Sequence, residues 1–118
     1  LKQAEPGLER AILRVLQPRE GRACAISRNS LIENVESLGI SSSDRILRAK
    51  INELRKKGHL ICSTGGKDGG YWLAADWNEL TVYLRAEVLS RALDLLNTEE
   101  AMKKAAEKRW GPEQPPLF

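Results

Sequence analysis

Cysteine and histidine are scarce in this chain of 118 residues, which has two cysteines and one histidine. Neither Cys-x-x-Cys nor His-Glu-x-x-His spacing occurs, so we expect no metal site and no disulfide framework. Cys24 and Cys62 lie in short apolar runs, which predicts two buried free thiols. No group of Ser, His, Asp or Glu residues has the spacing of a catalytic site. We therefore predict a protein that is not an enzyme and needs no cofactor.

Long apolar runs are also missing. None approaches the roughly 20 residues that a membrane-spanning helix needs, and the sequence shows no secretory signal pattern. With so few cysteines, these features predict a cytoplasmic protein in a reducing compartment. The length suits one domain with a substantial core.

The net charge of +3 is small, but its distribution is uneven. Residues 1–75 contain thirteen Lys and Arg against eight Asp and Glu, a net +5. Residues 76–118 contain six against eight, a net −2. A basic excess confined to one part of a chain favours a polyanionic partner for that part.

Residues 1–75 show the pattern of three helices followed by a β-hairpin. Helical spacing of apolar residues predicts a first helix that Pro18 ends, and residues 23–26 predict a short strand that pairs with the hairpin. Gly39 suits the left-handed backbone that ends a second helix, and a longer basic helix follows at about residues 42–57. The second helix is predicted to turn three residues inward: Leu31, Val35 and Leu38.

The order helix, tight turn, helix and β-hairpin over residues 28–75 resembles the winged helix-turn-helix superfamily. The resemblance is carried by Leu31 to Gly39-Ile40-Ser41, Ile51-x-x-Leu54-Arg55-x-x-Gly58, Ile61-Cys62-Ser63 and Gly70-Tyr71-Trp72-Leu73-Ala74. These stretches are similar to small phage and prophage DNA-binding proteins, in which a tyrosine-containing wing strand leads into a long C-terminal helix. The resemblance implies a mainly α-helical α+β fold. It also implies binding of double-stranded DNA, in transcription control or in phage-type replication.

In such a domain the helix at about 42–57 would enter the major groove. We expect Arg45 and Arg48 to contact guanine edges or phosphates and Asn52 to read adenine. Ser42 and Ser43 are suited to hold a phosphate at the helix N-terminus. Further phosphate contacts are expected from Arg55, Lys56 and Lys67. A solvated charged face is the alternative interpretation of the same outward residues: Ser43, Arg45, Arg48, Ala49, Asn52, Arg55 and Lys56.

The hairpin at 60–74 is the predicted wing. Its loop contains four glycines, which are expected to let backbone amides approach a phosphate or the minor groove: Gly65, Gly66, Gly69 and Gly70. Lys67 adds one cation, which Asp68 balances. The loop does not match a nucleotide-binding loop, because Asp68 rather than Ser or Thr follows the lysine.

Four aromatic residues lie in or near the second wing strand. We expect them to anchor the core and the following helix rather than to stack on bases. They are Tyr71, Trp72, Trp77 and Tyr83.

A long C-terminal helix is predicted after Asp76 or Asn78, with a break or a kink at Asn97-Thr98. At about 100° per residue its apolar residues form two stripes roughly 140° apart. One stripe is Val82, Ala86, Leu89, Leu93 and Leu96, and the other is Leu80, Leu84, Val88, Ala92 and Leu95. One stripe can pack on the winged helix, but the other then needs a partner, because the two stripes lie on different sides of the helix. We therefore expect residues 76–110 to be a helical extension that forms a homodimer through residues 79–97.

The tail at 111–118 ends in a second resemblance. Gln114, Leu117 and Phe118 match the Gln-x-x-Leu-Phe pattern of bacterial sliding-clamp-binding peptides, whereas Pro115 and Pro116 depart from it. The match implies that the tail binds a sliding clamp. It supports a second hypothesis for the chain, a non-enzymatic winged helix that docks on proteins and does not contact DNA.

Overall fold

Helices dominate the chain, and one short sheet accompanies them, so the predicted mainly α-helical α+β class is confirmed. The computed structural model describes residues 4–65 and 69–113. Its elements are α1 (Ala4–Leu16), α2 (Arg28–Ser37), α3 (Asp44–Lys56), β1 (Ile61–Thr64), β2 (Gly70–Leu73), α4 (Trp77–Tyr83) and α5 (Ser90–Trp110). A 3-10 turn at Arg22–Cys24 precedes α2, and a π-helical stretch at Leu84–Leu89 precedes α5. Among the described residues, no helix has the length and apolar character to cross a membrane.

The chain divides into two compact units, unit 1 at Leu1–Tyr83 and unit 2 at Leu84–Phe118. In unit 1, α1, α2 and α3 pack with the sheet around one apolar core. Several of its side chains are completely or almost completely buried: Ile12, Leu16, Leu31, Val35, Leu47, Ile51, Leu54 and Ile61. Burial of such side chains is the main source of stability in a domain of this size.

Side-chain caps set where α2 and α3 begin. The hydroxyl of Ser27 accepts the backbone N–H of Ser30 at the start of α2, and that of Ser43 accepts the N–H of Ile46 at the start of α3. Both caps replace helical hydrogen bonds that the first turn lacks. Between the two helices, Gly39 has a φ of 91°, which favours glycine and confirms the predicted turn.

The predicted strand at 23–26 is wrong over most of its length. The chain forms the 3-10 turn there, and only Ile26 pairs with β2, through reciprocal backbone hydrogen bonds with Tyr71. A Cβ atom on Gly70 would lie 2.6 Å from the Ile26 carbonyl oxygen. Gly70 is therefore required for close approach of two backbones and is buried, which corrects its expected role in phosphate contact.

The attachment of α4 to the hairpin depends on Glu79. One of its carboxylate oxygens accepts the indole N–H of Trp72 at 3.1 Å and the backbone N–H of Ala75 at 2.9 Å. The other accepts the backbone N–H of Arg22 at 3.0 Å. Tyr83 of the same helix packs in a small buried cluster with Cys62 and Trp72. The cluster fixes α4 on unit 1.

Three apolar predictions for unit 1 are wrong. Cys24 is exposed because it lies on the 3-10 turn rather than on a strand. Leu38 is 42% exposed because α2 ends at Ser37, so the helical spacing that buries Leu31 and Val35 does not extend to it. Trp77 is 80% exposed, while the other three aromatic residues are buried as expected.

We predict that the two thiols differ strongly in reactivity. Burial raises the pKa of the Cys62 thiol to about 11, so alkylation at pH 8 should be roughly a hundredfold slower there than at exposed Cys24. Peptide mapping after timed iodoacetamide treatment measures both sites. Cys24→Ser should remove the fast reaction, and denaturant should expose the slow one. Rapid labelling of both thiols in the folded chain would contradict the buried position of Cys62.

Unit 2 contains the π-helical stretch and α5. The predicted break at Asn97-Thr98 is wrong, because α5 continues through both residues, whereas the alternative of a kink stays a prediction. The Thr98 hydroxyl donates to the carbonyl of Asp94 at 3.1 Å. Such a bond one turn back is compatible with a continuous helix. The helix ends at Trp110, and Gly111, whose φ is 85°, caps it.

Candidate nucleic-acid interface

The two sides of α3 differ sharply in character. Leu47, Ile51 and Leu54 point into the core and are at most 1% exposed. The opposite side presents Arg45, Ala49, Asn52 and Lys56 to solvent at spacings of four, three and four residues. These spacings place the four side chains on one face of a helix. We call these four residues the outward face of α3.

Chemically, the outward face of α3 combines two cations, one amide and a central methyl group. Among its four residues, Ala49 has the smallest side chain, so a helix lying against another surface could approach closely at that point. Arg45 and Asn52 on either side carry the donors and acceptors that suit base edges.

Asp44 holds two arginines beside the outward face. Its carboxylate lies 3.0 Å from Nε of Arg28, the first residue of α2, and 3.1 Å from the guanidinium of Arg48. The arginine side chains are still 52% and 59% exposed. Two cations around one carboxylate leave a net positive charge at this junction, with N–H groups available to an anion.

Arg55, which was predicted to contact phosphate, makes its hydrogen bonds within unit 1. It donates to the carbonyl of Ile61 at 2.8 Å and to the hydroxyl of Ser63 at 3.0 Å, which joins α3 to β1. It also donates to Asn52 at 3.2 Å, and its guanidinium lies 5.4 Å from the centre of the Tyr83 ring. With these contacts, Arg55 supports the hairpin and orients Asn52.

Ser42 and Ser43, which precede α3, differ in which hydrogen-bonding groups remain free for a ligand. Ser43 already accepts the Ile46 N–H as the helix cap, so only its hydroxyl proton remains to donate. Ser42 is half-buried and donates to the carbonyl of Ser43 at 3.2 Å. Ser43 is therefore the better placed of the two for a phosphate.

The predicted hairpin forms, but the structure describes only part of its loop. β1 and β2 are antiparallel, with Ile61 paired to Leu73 and Thr64 paired to Gly70. Lys67 lies outside the described residues, so its predicted contact stays a prediction. Gln114, Leu117 and Phe118 lie outside them as well, and binding of a sliding clamp likewise stays a prediction.

Sequence reasoning missed three features of this surface. The ion pair between Arg28 and Asp44 depends on tertiary packing and has no signal in the sequence. The pair between Asp44 and Arg48 could have been predicted, because the two residues are four apart on one helix. Ile46 is 52% exposed, an apolar side chain at an outward position. Lys50 is 6% exposed and pairs with Glu53 at 3.1 Å, so its charge is withdrawn from the outer surface.

In the part of the chain that the structure describes, no group of His, Cys, Asp or Glu is arranged to hold a metal ion. Comparison with known proteins gave no matching family model, no matching curated protein and no matching solved structure. The functional assignment therefore depends on the geometry of this chain's own residues.

Proposed function

We propose that unit 1 is a winged helix-turn-helix domain that binds double-stranded DNA through α3. The observation that carries the proposal is the outward face of α3, where Arg45, Ala49, Asn52 and Lys56 are all exposed on the side opposite the core. The order of three helices and a hairpin agrees with that architecture. A role in transcription control or in phage-type replication suits this activity equally.

In the proposed complex, α3 lies in the major groove with its N-terminal half towards the bases. Arg45 then donates to a guanine edge and Asn52 pairs with adenine, held in place by Arg55. Ala49 lies between them and allows the helix to approach the base edges. Exposed Ile46 offers an apolar contact to a thymine methyl group.

Phosphate contacts come from the edges of the same surface. Arg28 and Arg48 are held together by Asp44 and bind the backbone beside the N-terminus of α3. Lys56, near the other end of the helix, reaches a phosphate further along. Each phosphate neutralised in this way releases counterions, so affinity should fall steeply with salt.

The test is a fluorescence-anisotropy titration of random-sequence duplex DNA with the full chain at two salt concentrations. Micromolar binding that weakens steeply with salt supports the proposal. Absence of binding at low salt overturns it and favours the protein-docking hypothesis. Selection of a preferred duplex from a random pool would follow a positive result.

Arg48→Ala should weaken binding to that duplex by roughly threefold to tenfold, because one phosphate contact is lost. The slope of affinity against salt should fall by about one unit. Arg14→Ala, which removes an exposed arginine of α1, is the matched control and should leave both quantities nearly unchanged. Equal losses from the two variants would contradict the proposed docking and point to general charge attraction.

A further inference from the structure

One face of the helix in unit 2 is basic at one end, apolar in the middle and acidic at the other end. Leu89, Leu93 and Leu96 are 52%, 53% and 59% exposed, and their spacing of four and three residues places them on one side of the helix. Arg85 lies one turn before them and Glu100 one turn after them, both exposed. We call this row of five residues the Arg–Leu–Glu face.

The π-helical stretch at Leu84–Leu89 removes one residue of the predicted stripe from this face and leaves Arg85 on it. A π-helix has a wider turn than an α-helix, with i to i+5 hydrogen bonds. The residue one turn before Leu89 therefore lies near position 85, and Ala86 is rotated away from the leucines. The stripe predicted from uniform helical spacing, which included Ala86, is replaced by one that begins with an arginine.

The two end charges of the face have no ion-pair partner among the described residues. Two ion pairs do form along the same helix, Arg91 with Glu87 at 3.7 Å and Lys103 with Glu99 at 3.6 Å. Within the described residues, both charges are therefore available to a partner. They lie at opposite ends of an exposed apolar row that is costly to leave in water.

We propose that the Arg–Leu–Glu face pairs with the same face of a second copy, with the two helices antiparallel. A two-fold axis between Ala92 and Leu93 brings Leu89 level with Leu96 of the second copy. The same axis brings Arg85 level with Glu100 of the second copy, and this happens at both ends. A surface that is its own complement under two-fold rotation is what a symmetric dimer requires.

The charges favour the antiparallel pair over the parallel alternative. In a parallel pair in register, Arg85 would lie opposite Arg85 and Glu100 opposite Glu100, and like charges facing each other are destabilising. A different protein as partner would need a matching acidic, apolar and basic row, whereas the second copy already supplies one. This inference concerns unit 2 alone and does not rest on DNA binding by unit 1.

Sedimentation equilibrium of the full chain, under reducing conditions and from low micromolar to submillimolar concentration, tests the proposal. The wild-type chain should dimerise. Arg85→Glu and Glu100→Arg should each weaken dimerisation roughly tenfold, because each converts two attractive pairs into two repulsive ones. The double variant Arg85→Glu/Glu100→Arg should restore it, because both pairs become attractive again.

A second pair of variants separates this face from general apolar association. Leu93→Lys places a charge beside the axis and should abolish the dimer. Leu95→Lys changes a residue that is more exposed, at 69%, but lies off the face, and it should leave the dimer largely intact. A monomeric wild-type chain, failure of the double charge swap to restore dimerisation, or equal effects of the two lysine variants would each overturn the proposal. A chain that binds DNA but stays monomeric up to submillimolar concentration would overturn this proposal while leaving the function of unit 1 standing.

Discussion

Replacement of Ala49 by glutamate should reduce affinity for duplex DNA by roughly a hundredfold, about 2–3 kcal/mol. Ala49 lies at the centre of the outward face of α3 and is exposed. A carboxylate there would face the phosphates of both strands and hold the helix away from the base edges. The fold should be unaffected, since the site is exposed and glutamate is a good helix former.

The measurement is the anisotropy titration, repeated with two further variants. Ala49→Gln has nearly the same shape without the charge, so it separates bulk from electrostatic repulsion and should lose less affinity. Gln17→Glu makes the same change in net charge at an exposed position beyond α1, and it should have a small effect. If Gln17→Glu weakens binding as much as Ala49→Glu does, α3 is not the recognition helix.

Leu47→Ala should reduce the free energy of unfolding by about 2–5 kcal/mol. Leu47 is completely buried in the core of unit 1, and truncation removes its apolar contacts and leaves a cavity. Such a loss is a large fraction of the roughly 5–15 kcal/mol that stabilises a typical domain. The urea midpoint of the circular-dichroism transition should fall accordingly.

The neighbouring residue provides the matched control. Ile46→Ala also truncates a large apolar side chain, but Ile46 is 52% exposed. The free energy of unfolding should therefore change by no more than about 0.5 kcal/mol. The variant should instead weaken DNA binding if the thymine contact forms. Similar stability losses at Leu47 and Ile46 would show that the two sides of α3 have been assigned incorrectly.

Much of unit 1 could be predicted from local patterns. The positions of Gly39 and Ser43 set the turn and the start of α3, and the spacing of Leu47, Ile51 and Leu54 set its core face. These signals are local because a cap, a left-handed glycine and an apolar period each depend on a few neighbouring residues. Element types were accordingly predicted better than the positions of individual side chains.

The errors share a different cause. Cys24 and Leu38 were expected to be buried from their apolar neighbours, yet both lie where a regular element has ended. Arg55 was expected to face a ligand, yet its guanidinium joins α3 to β1. Burial and hydrogen-bond partners of such residues depend on elements that are distant in sequence, which a local period does not encode.

The sequence by itself determined the helical content, the turn between α2 and α3, the hairpin and the basic excess of residues 1–75. Tertiary structure decided which charges remain available. It placed Arg28 beside Asp44 and buried Lys50 among residues of α1 and α3. In unit 2, the wider turn at Leu84–Leu89 rotated Ala86 away from the row formed by Leu89, Leu93 and Leu96. Secondary-structure propensity depends on residues within about one helical turn. The exposure and pairing of a charge depend instead on which other segments of the chain pack around it.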